Sequence, residues 1–424
     1  MTEKLLHFIW RFQYFNRQAL ATTLDEPIEI IHPGQHNHHQ GPDFLQARVR
    51  IGTTLLAGSV ELHLRTSDWN RHQHSGDPNY HNVVLHVVYE HDGGTSDLPV
   101  LELQPRISGL LLEHYQQLMQ SNAFIPCGSG INQVPKLTLE AWKERLLAER
   151  LQRKAGQLAK PVSNNQLHWD EGFWHLLARS FGARTNAEAF EAIARSLPLK
   201  ILARHSNSIH QLEAMLLGQA RLLDYDYTDD YPRMLQREYR FLQQKWNVKP
   251  ISLPVHFLRM RPSNFPTIRL AQLAALVQQS AHLFSKVIAT TDVKSMEQLF
   301  QATANDYWHY HYRFDETTPF QPKRIGEDMI HHLLINVVSP VLFAYGSYHK
   351  NAAYTQRAVD ILEHLPAENN AITRGFRALA IRAAHAADAQ ALLELRNNYC
   401  NERRCLECGV GNSLLKKALA IATH

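Results

Sequence analysis

Residues 41–65 read GPDFLQARVRIGTTLLAGSVELHLR, and this stretch decides the architecture of the N-terminal part. Phe44–Ile51 and Leu55–Arg65 are two β-rich runs joined by Gly-Thr-Thr, the pattern of a hairpin. Side chains alternate along a strand, so Val60, Leu62 and Leu64 share one face while Glu61, His63 and Arg65 share the other. Working outward, Pro27–His32 (PIEIIH) lies before the hairpin, and Asn82–Glu90 and Leu98–Leu103 follow it, separated by the turn signals HPG, SGDPN and DGG. Val83–Val88, apolar on both faces around a lone His86, suits a central strand. With a leading helix near Glu3–Phe15, residues 1–130 read as an α+β module built on a mixed sheet.

From about Leu137 the period changes. LTLEAWKERLLAERL, HWDEGFWHLLARSF, SIHQLEAMLLGQARLL and TIRLAQLAALVQQSAHLF each carry apolar residues at i, i+3, i+4 and i+7, joined by short links such as RPSNFP at 261–266. Residues 131–424 are therefore expected to form one large all-α helical array ending in a cysteine cluster.

The 424 residues hold 44 Lys and Arg, 40 Asp and Glu, 26 His and four Cys. The ordinary apolar fraction excludes a disordered chain, and four cysteines exclude a disulfide scaffold. Charge is split: residues 1–110 carry 8 basic against 12 acidic side chains, leaving 36 against 28 for the remainder. Eleven of the 26 His fall in the first hundred residues. The N-terminus lacks a signal-peptide pattern, and the most apolar run, from Leu333, is broken by Asn336, Ser339 and Pro340. A reducing cytoplasm and no membrane association are the expectation. Phosphate-loop and nucleophile-elbow motifs are missing, which removes the support for P-loop nucleotide chemistry and serine hydrolysis.

Glu61 and His63, side by side on one strand, and Asp43 at the start of its neighbour are oxygen and nitrogen donors of the kind that gather Mg²⁺ or Mn²⁺. Facing is the difficulty. A two-residue turn at Gly52-Thr53 or Thr53-Thr54 sets Asp43 opposite Leu62 or Leu64, on the apolar face. A three-residue loop gives the other face but opposes Leu45 to Glu61. A bulge or turn after Pro42 would redirect Asp43. His72, His74 and Asp77 follow on the next connection, which emerges near Asp43 and supplies a supporting set of ligands.

The segments GPDF, VELH, SDW and VVLHVV, with RPSNFPTIRLAQLA at 261–274 and CLECGVG at 405–411, resemble a bacterial family known only as a domain of unknown function. Pro42, Asp43 and Glu61 also resemble the motif of the PD-(D/E)XK nuclease superfamily. That resemblance implies two acids holding a metal and a lysine two residues beyond the second, where this chain has His63. An imidazole can take a proton or a metal but supplies no fixed positive charge.

Cys400, Cys405 and Cys408 form C-x4-C-x2-C, and Cys127 is the one remaining thiol. Three plus one suits a 4Fe-4S cluster or a four-Cys zinc site, and the asymmetric spacing favours iron–sulfur. Arg259, Arg261 and Arg269, near Phe265, offer a path for DNA or RNA. The leading expectation is a Mg/Mn-dependent nuclease with an additional four-Cys site. The alternatives are a non-enzymatic nucleic-acid- or protein-binding scaffold and a His/carboxylate metal hydrolase of a small molecule.

Overall fold

A computed structural model describes residues 1–422 except 38, 73, 75–76, 95–96, 164–167, 259 and 281. The chain is α+β, with a mixed sheet at the N-terminus and helices dominating thereafter. It divides into two compact units. The first comprises Met1–Arg145, Ala371–Arg382 and Leu392–His424, and the second Leu146–Asn370 and Ala383–Ala391. The boundary expected at 130/131 thus misses a return of the chain: the segment bearing the C-terminal cysteines belongs with the sheet. Tyr14 Oη donates to Asn412 Oδ1 (2.8 Å) and Arg403 donates to the Leu118 carbonyl (3.1 Å), anchoring that return.

The first unit opens with helix α1 (Glu3–Phe12), capped by Thr2, whose hydroxyl accepts the Leu5 N–H. Strands β1 (Ile28–His32), β2 (Gln35–His36), β3 (Phe44–Ile51), β4 (Thr54–Arg65), β5 (Val83–Glu90) and β6 (Val100–Glu102) form one sheet in the order β1-β3-β4-β5-β6, with β2 also on β3. β1, β3 and β4 pair antiparallel, whereas β5 runs parallel to both β4 and β6. A parallel pair needs a crossover of about a dozen residues or more. Residues 66–82 provide it, carrying the short helix α2 (Asp68–Arg71) and a 3-10 turn at Pro78–Tyr80.

The hairpin between β3 and β4 turns at Gly52-Thr53, with Gly52 at φ +57° and Ile51 paired to Thr54. That register continues to Ala47 opposite Gly58, and extended further it would place Asp43 on the apolar face. It does not extend. Between Ala47 and Phe44 the pairing slips by one residue, Phe44 meets Val60, and Gln46 takes the left-handed conformation at φ +58°. A one-residue slip exchanges the two faces of a strand. The bulge therefore brings Asp43 onto the side of Glu61.

In the second unit the apolar run from Leu333 lies in the helical stretch Glu327–Tyr348. By length and composition this 22-residue stretch could cross a membrane, and 67% of its most apolar window is buried. Pro340, expected to interrupt it, follows a π-turn at Leu334–Val338 and sits in the first turn of helix Ser339–Tyr348. Val338 and Ser339 keep right-handed helical backbone, so the proline is accommodated inside a continuous helix, directly after the π-turn.

Candidate metal centre

α1 and the crossover helix α2 pack on β4, and Glu61 and His63 are buried, at 5% and 2% exposure. Glu61 is held from the neighbouring strand. The Asp43 N–H donates to Glu61 Oε2 (3.0 Å), and the Leu62 N–H donates in return to Asp43 Oδ2 (3.0 Å). Asp43 Oδ2 also faces His7 Nε2 of α1 at 3.2 Å. The other carboxylate oxygen, Glu61 Oε1, lies 3.6 Å from His63 Nε2 and 3.5 Å from His74 Nε2.

Those distances discriminate between two chemistries. They are long for hydrogen bonds, which cluster near 2.9 Å. Two ligands at tetrahedral angles around an ion at 2.0–2.1 Å would be roughly 3.4 Å apart. Ligand atoms of His63, His72 and His74 also lie within 4.8 Å of one another, close enough to share an ion after a modest inward movement. His74 Nε2 is buried with no hydrogen-bond partner among the described residues. The crossover builds this trio. His74 stacks on Tyr80 (centroids 3.9 Å) and lies nearly parallel to His63 (5.3 Å, 15°), while Trp69 meets His74 at 5.3 Å.

Electrostatics favours neutral imidazoles. Burial, reinforced by the neighbouring His86, His72 and His74, drives His63 down to about 2, and burial likewise lowers His74. Glu61 is pushed up to about 8, first by burial and then by the Asp43 carboxylate beside it. The charged form of this carboxyl therefore lacks a counter-ion in its own surroundings, a deficit that a divalent cation would remove.

His63 Nδ1 meets His86 Nε2 at 2.9 Å, both rings buried. If His63 offers Nε2 to an ion, its Nδ1–H must donate to His86, which leaves His86 protonated at Nδ1, an atom with no partner among the described residues. Burial pulls His86 down to about 4. His86 and His7 were not among the expected site residues. The lone polar residue in the apolar run VVLHVV was the available signal for His86, whose parallel register sets it beside Glu61. His7 carried none, because its contact is made across the fold.

Asp77 is brought to the same crossover but is occupied in capping the 3-10 turn, accepting from the Asn79 N–H (2.9 Å). Of the arginines, Arg259 lies outside the described residues and Arg261 is exposed. Arg269 is half-buried, donating to Gln272 Oε1 (2.9 Å) and Asn264 Oδ1 (2.6 Å), and desolvation lowers it to about 10. All four cysteines are buried and free, and they line one small cavity in the first unit.

Fold and site together define an α+β protein with a cluster of imidazoles and carboxylates, buried at Glu61 and His63 and open at the exposed His72, that could hold a divalent ion. The chain belongs to the family described as protein of unknown function DUF2851, whose model matches residues 3–371. The match ends before Cys400, so three of the four cysteines lie beyond it. No curated protein and no solved structure is significantly similar to the chain.

Proposed function

We propose that this protein is a metal-dependent hydrolase of phosphodiester bonds, with nucleic acid as its substrate class. The observation that carries the reading is the convergence of His63, His72 and His74 on one point, with Glu61 Oε1 3.6 and 3.5 Å from two of them. An imidazole-rich set with a single carboxylate suits Zn²⁺ or Mn²⁺ better than Mg²⁺, which prefers oxygen ligands and retains its waters. When bound, such an ion polarises a phosphoryl oxygen and acidifies a water.

The protein's own groups have distinct tasks in this scheme. The Asp43 N–H fixes Glu61 Oε2 and so aims Oε1 at His63 and His74, which makes Asp43 a positioning residue rather than a ligand. His86 sets the tautomer of His63. Trp69 packs against His63 and His74 and Tyr80 against His74, which shields these two imidazoles from water and strengthens their electrostatic interactions, while His72 stays exposed. Support for a phosphodiester comes from the adjacency of Asp43 and Glu61 and from the excess of basic over acidic residues beyond residue 110. The imidazole-rich donors equally favour a second reading, a hydrolase of small esters.

The test is cleavage of single- and double-stranded DNA and RNA, alongside bis-p-nitrophenyl phosphate, with Zn²⁺, Mn²⁺ or Mg²⁺. We expect Zn²⁺- or Mn²⁺-dependent cleavage that falls on the order of 100-fold or more in Glu61→Gln and in His74→Ala. Cleavage unaffected by both substitutions removes this site. Turnover of the small ester alone selects the second reading, and ion binding without any turnover leaves a scaffold.

A further inference from the structure

The cysteines stand apart from the site just described and are explained by none of its chemistry. Each is delivered by a different local device. Cys127 sits in a tight turn, where the Gly128 N–H donates to the Ile125 carbonyl and the Gly130 N–H to that of Cys127, both at 3.0 Å. Cys400 ends a π-turn spanning Leu395–Cys400, and Cys405 begins a 3-10 turn. Cys408 immediately precedes helix Gly409–Ala422, its carbonyl accepting the Asn412 N–H at 2.8 Å. π-turns of this kind interrupt regular helix at an energetic cost and recur where a side chain must be re-aimed.

Their shared cavity is walled by Ile125, Leu395, Tyr399 and Val410, an apolar lining that keeps water from the sulfurs. We propose that Cys127, Cys400, Cys405 and Cys408 together hold a cubane 4Fe-4S cluster within the first unit. Three observations favour a cluster over inert thiols or a single zinc. First, four free thiols from chain segments more than 270 residues apart line one apolar cavity. Packing alone gives no reason to collect them.

Second, donors surround the sulfurs. The backbone N–H groups of Val410 and Gly411 favour the Cys408 thiolate, and the buried Trp142 indole Nε1 near the same sulfur has no hydrogen-bond partner among the described residues, which leaves its N–H available to a cluster sulfur. Hydrogen bonds to the sulfurs and burial are the means by which a protein tunes such a cluster. Third, the spacing C-x4-C-x2-C with one distant cysteine, in place of two C-x2-C knuckles, suits a cubane better than a structural zinc.

Charge balances as well. Four thiols release four protons, and four thiolates on a 2+ core leave a net charge of −2. Arg396 beside Cys400 and Arg403 beside Cys405 favour the anionic form.

The full chain purified without oxygen, or reconstituted anaerobically with equal amounts of ferrous and ferric iron and with sulfide, which balances to the 2+ core, supplies the test. We expect a brown protein absorbing near about 400 nm, with about four irons and four acid-labile sulfides per chain. Cys127→Ser and Cys408→Ser should each lose most of that iron. His63→Ala should keep it, so loss of the hydrolytic ion and loss of the cluster are read separately. One zinc per chain without sulfide, no bound metal at all, or full iron retained in Cys127→Ser would each overturn the proposal. The wild-type stoichiometry decides the matter even if a cysteine variant does not fold.

Discussion

Replacing Glu61 by Gln keeps the shape of the side chain and removes its charge, which makes it the sharpest probe of the proposed ion site. Glu61 is 5% exposed, and its carboxyl is raised to about 8 by burial and by Asp43. An ion can use this carboxylate only after its proton leaves, so binding is coupled to proton release. Relative to pH 9, the affinity for Zn²⁺ should be weaker by about tenfold at pH 7 and by about 90-fold at pH 6. His63, held near 2, adds no competing proton in this range. Titration calorimetry in buffers of different ionisation enthalpy counts the protons directly. We expect about 0.9 proton released per ion from Glu61 at pH 7 and about 0.1 at pH 9. Glu61→Gln should bind the ion more weakly and lose this component of the release. Proton release unchanged by the substitution would refute the assignment of Glu61 as a ligand.

Metal-free stability carries the opposite sign. A carboxyl raised above its ordinary 4.5 contributes stability that is complete at low pH and lost as pH climbs towards about 8. Metal-free Glu61→Gln should therefore exceed the wild type at pH 9 by on the order of a few kcal/mol, read from denaturant unfolding. His86→Ala, which removes the group that orients His63, should weaken ion binding by about 10- to 100-fold with the helical content by circular dichroism unchanged. Gln46→Gly relieves a left-handed backbone at the bulge and should stabilise by up to about 1 kcal/mol, and deleting residue 46 removes the extra residue of the bulge while leaving Phe44 opposite Val60 and Asp43 beside Glu61, so cleavage should survive it. Gly411→Ala would place a methyl group 2.2 Å from the Cys405 carbonyl oxygen, and its cluster iron should fall well below that of the wild type.

Local patterns were legible in the sequence to the extent that the physics behind them is local. Phe44–Ile51 has the bounds expected from its alternation, and the other long strands differ by a residue or two at their ends. Glu61 and His63 share a face because alternation requires it. The bulge at Gln46 was not legible, since nothing in FLQARVRI marks a glutamine for the left-handed region. A regular hairpin therefore argued against Asp43, and a one-residue slip reversed that result. His7 and His86 join the site through pairings between distant segments, which periodicity does not encode. The same holds for Leu392–His424, whose helical pattern reads like the rest of the array but whose contacts lie with the sheet.

Crystals of the full chain grown with Mn²⁺ or Zn²⁺ and measured at an anomalous edge test the central claim most directly. A single strong peak within about 2.0–2.3 Å of His63 Nε2, His74 Nε2 and Glu61 Oε1, with His72 drawn in beside it, is the expected result. A fully occupied ion elsewhere, or Glu61 Oε1 still 3.5–3.6 Å from the two imidazole nitrogens with nothing between them at saturating metal, would contradict it.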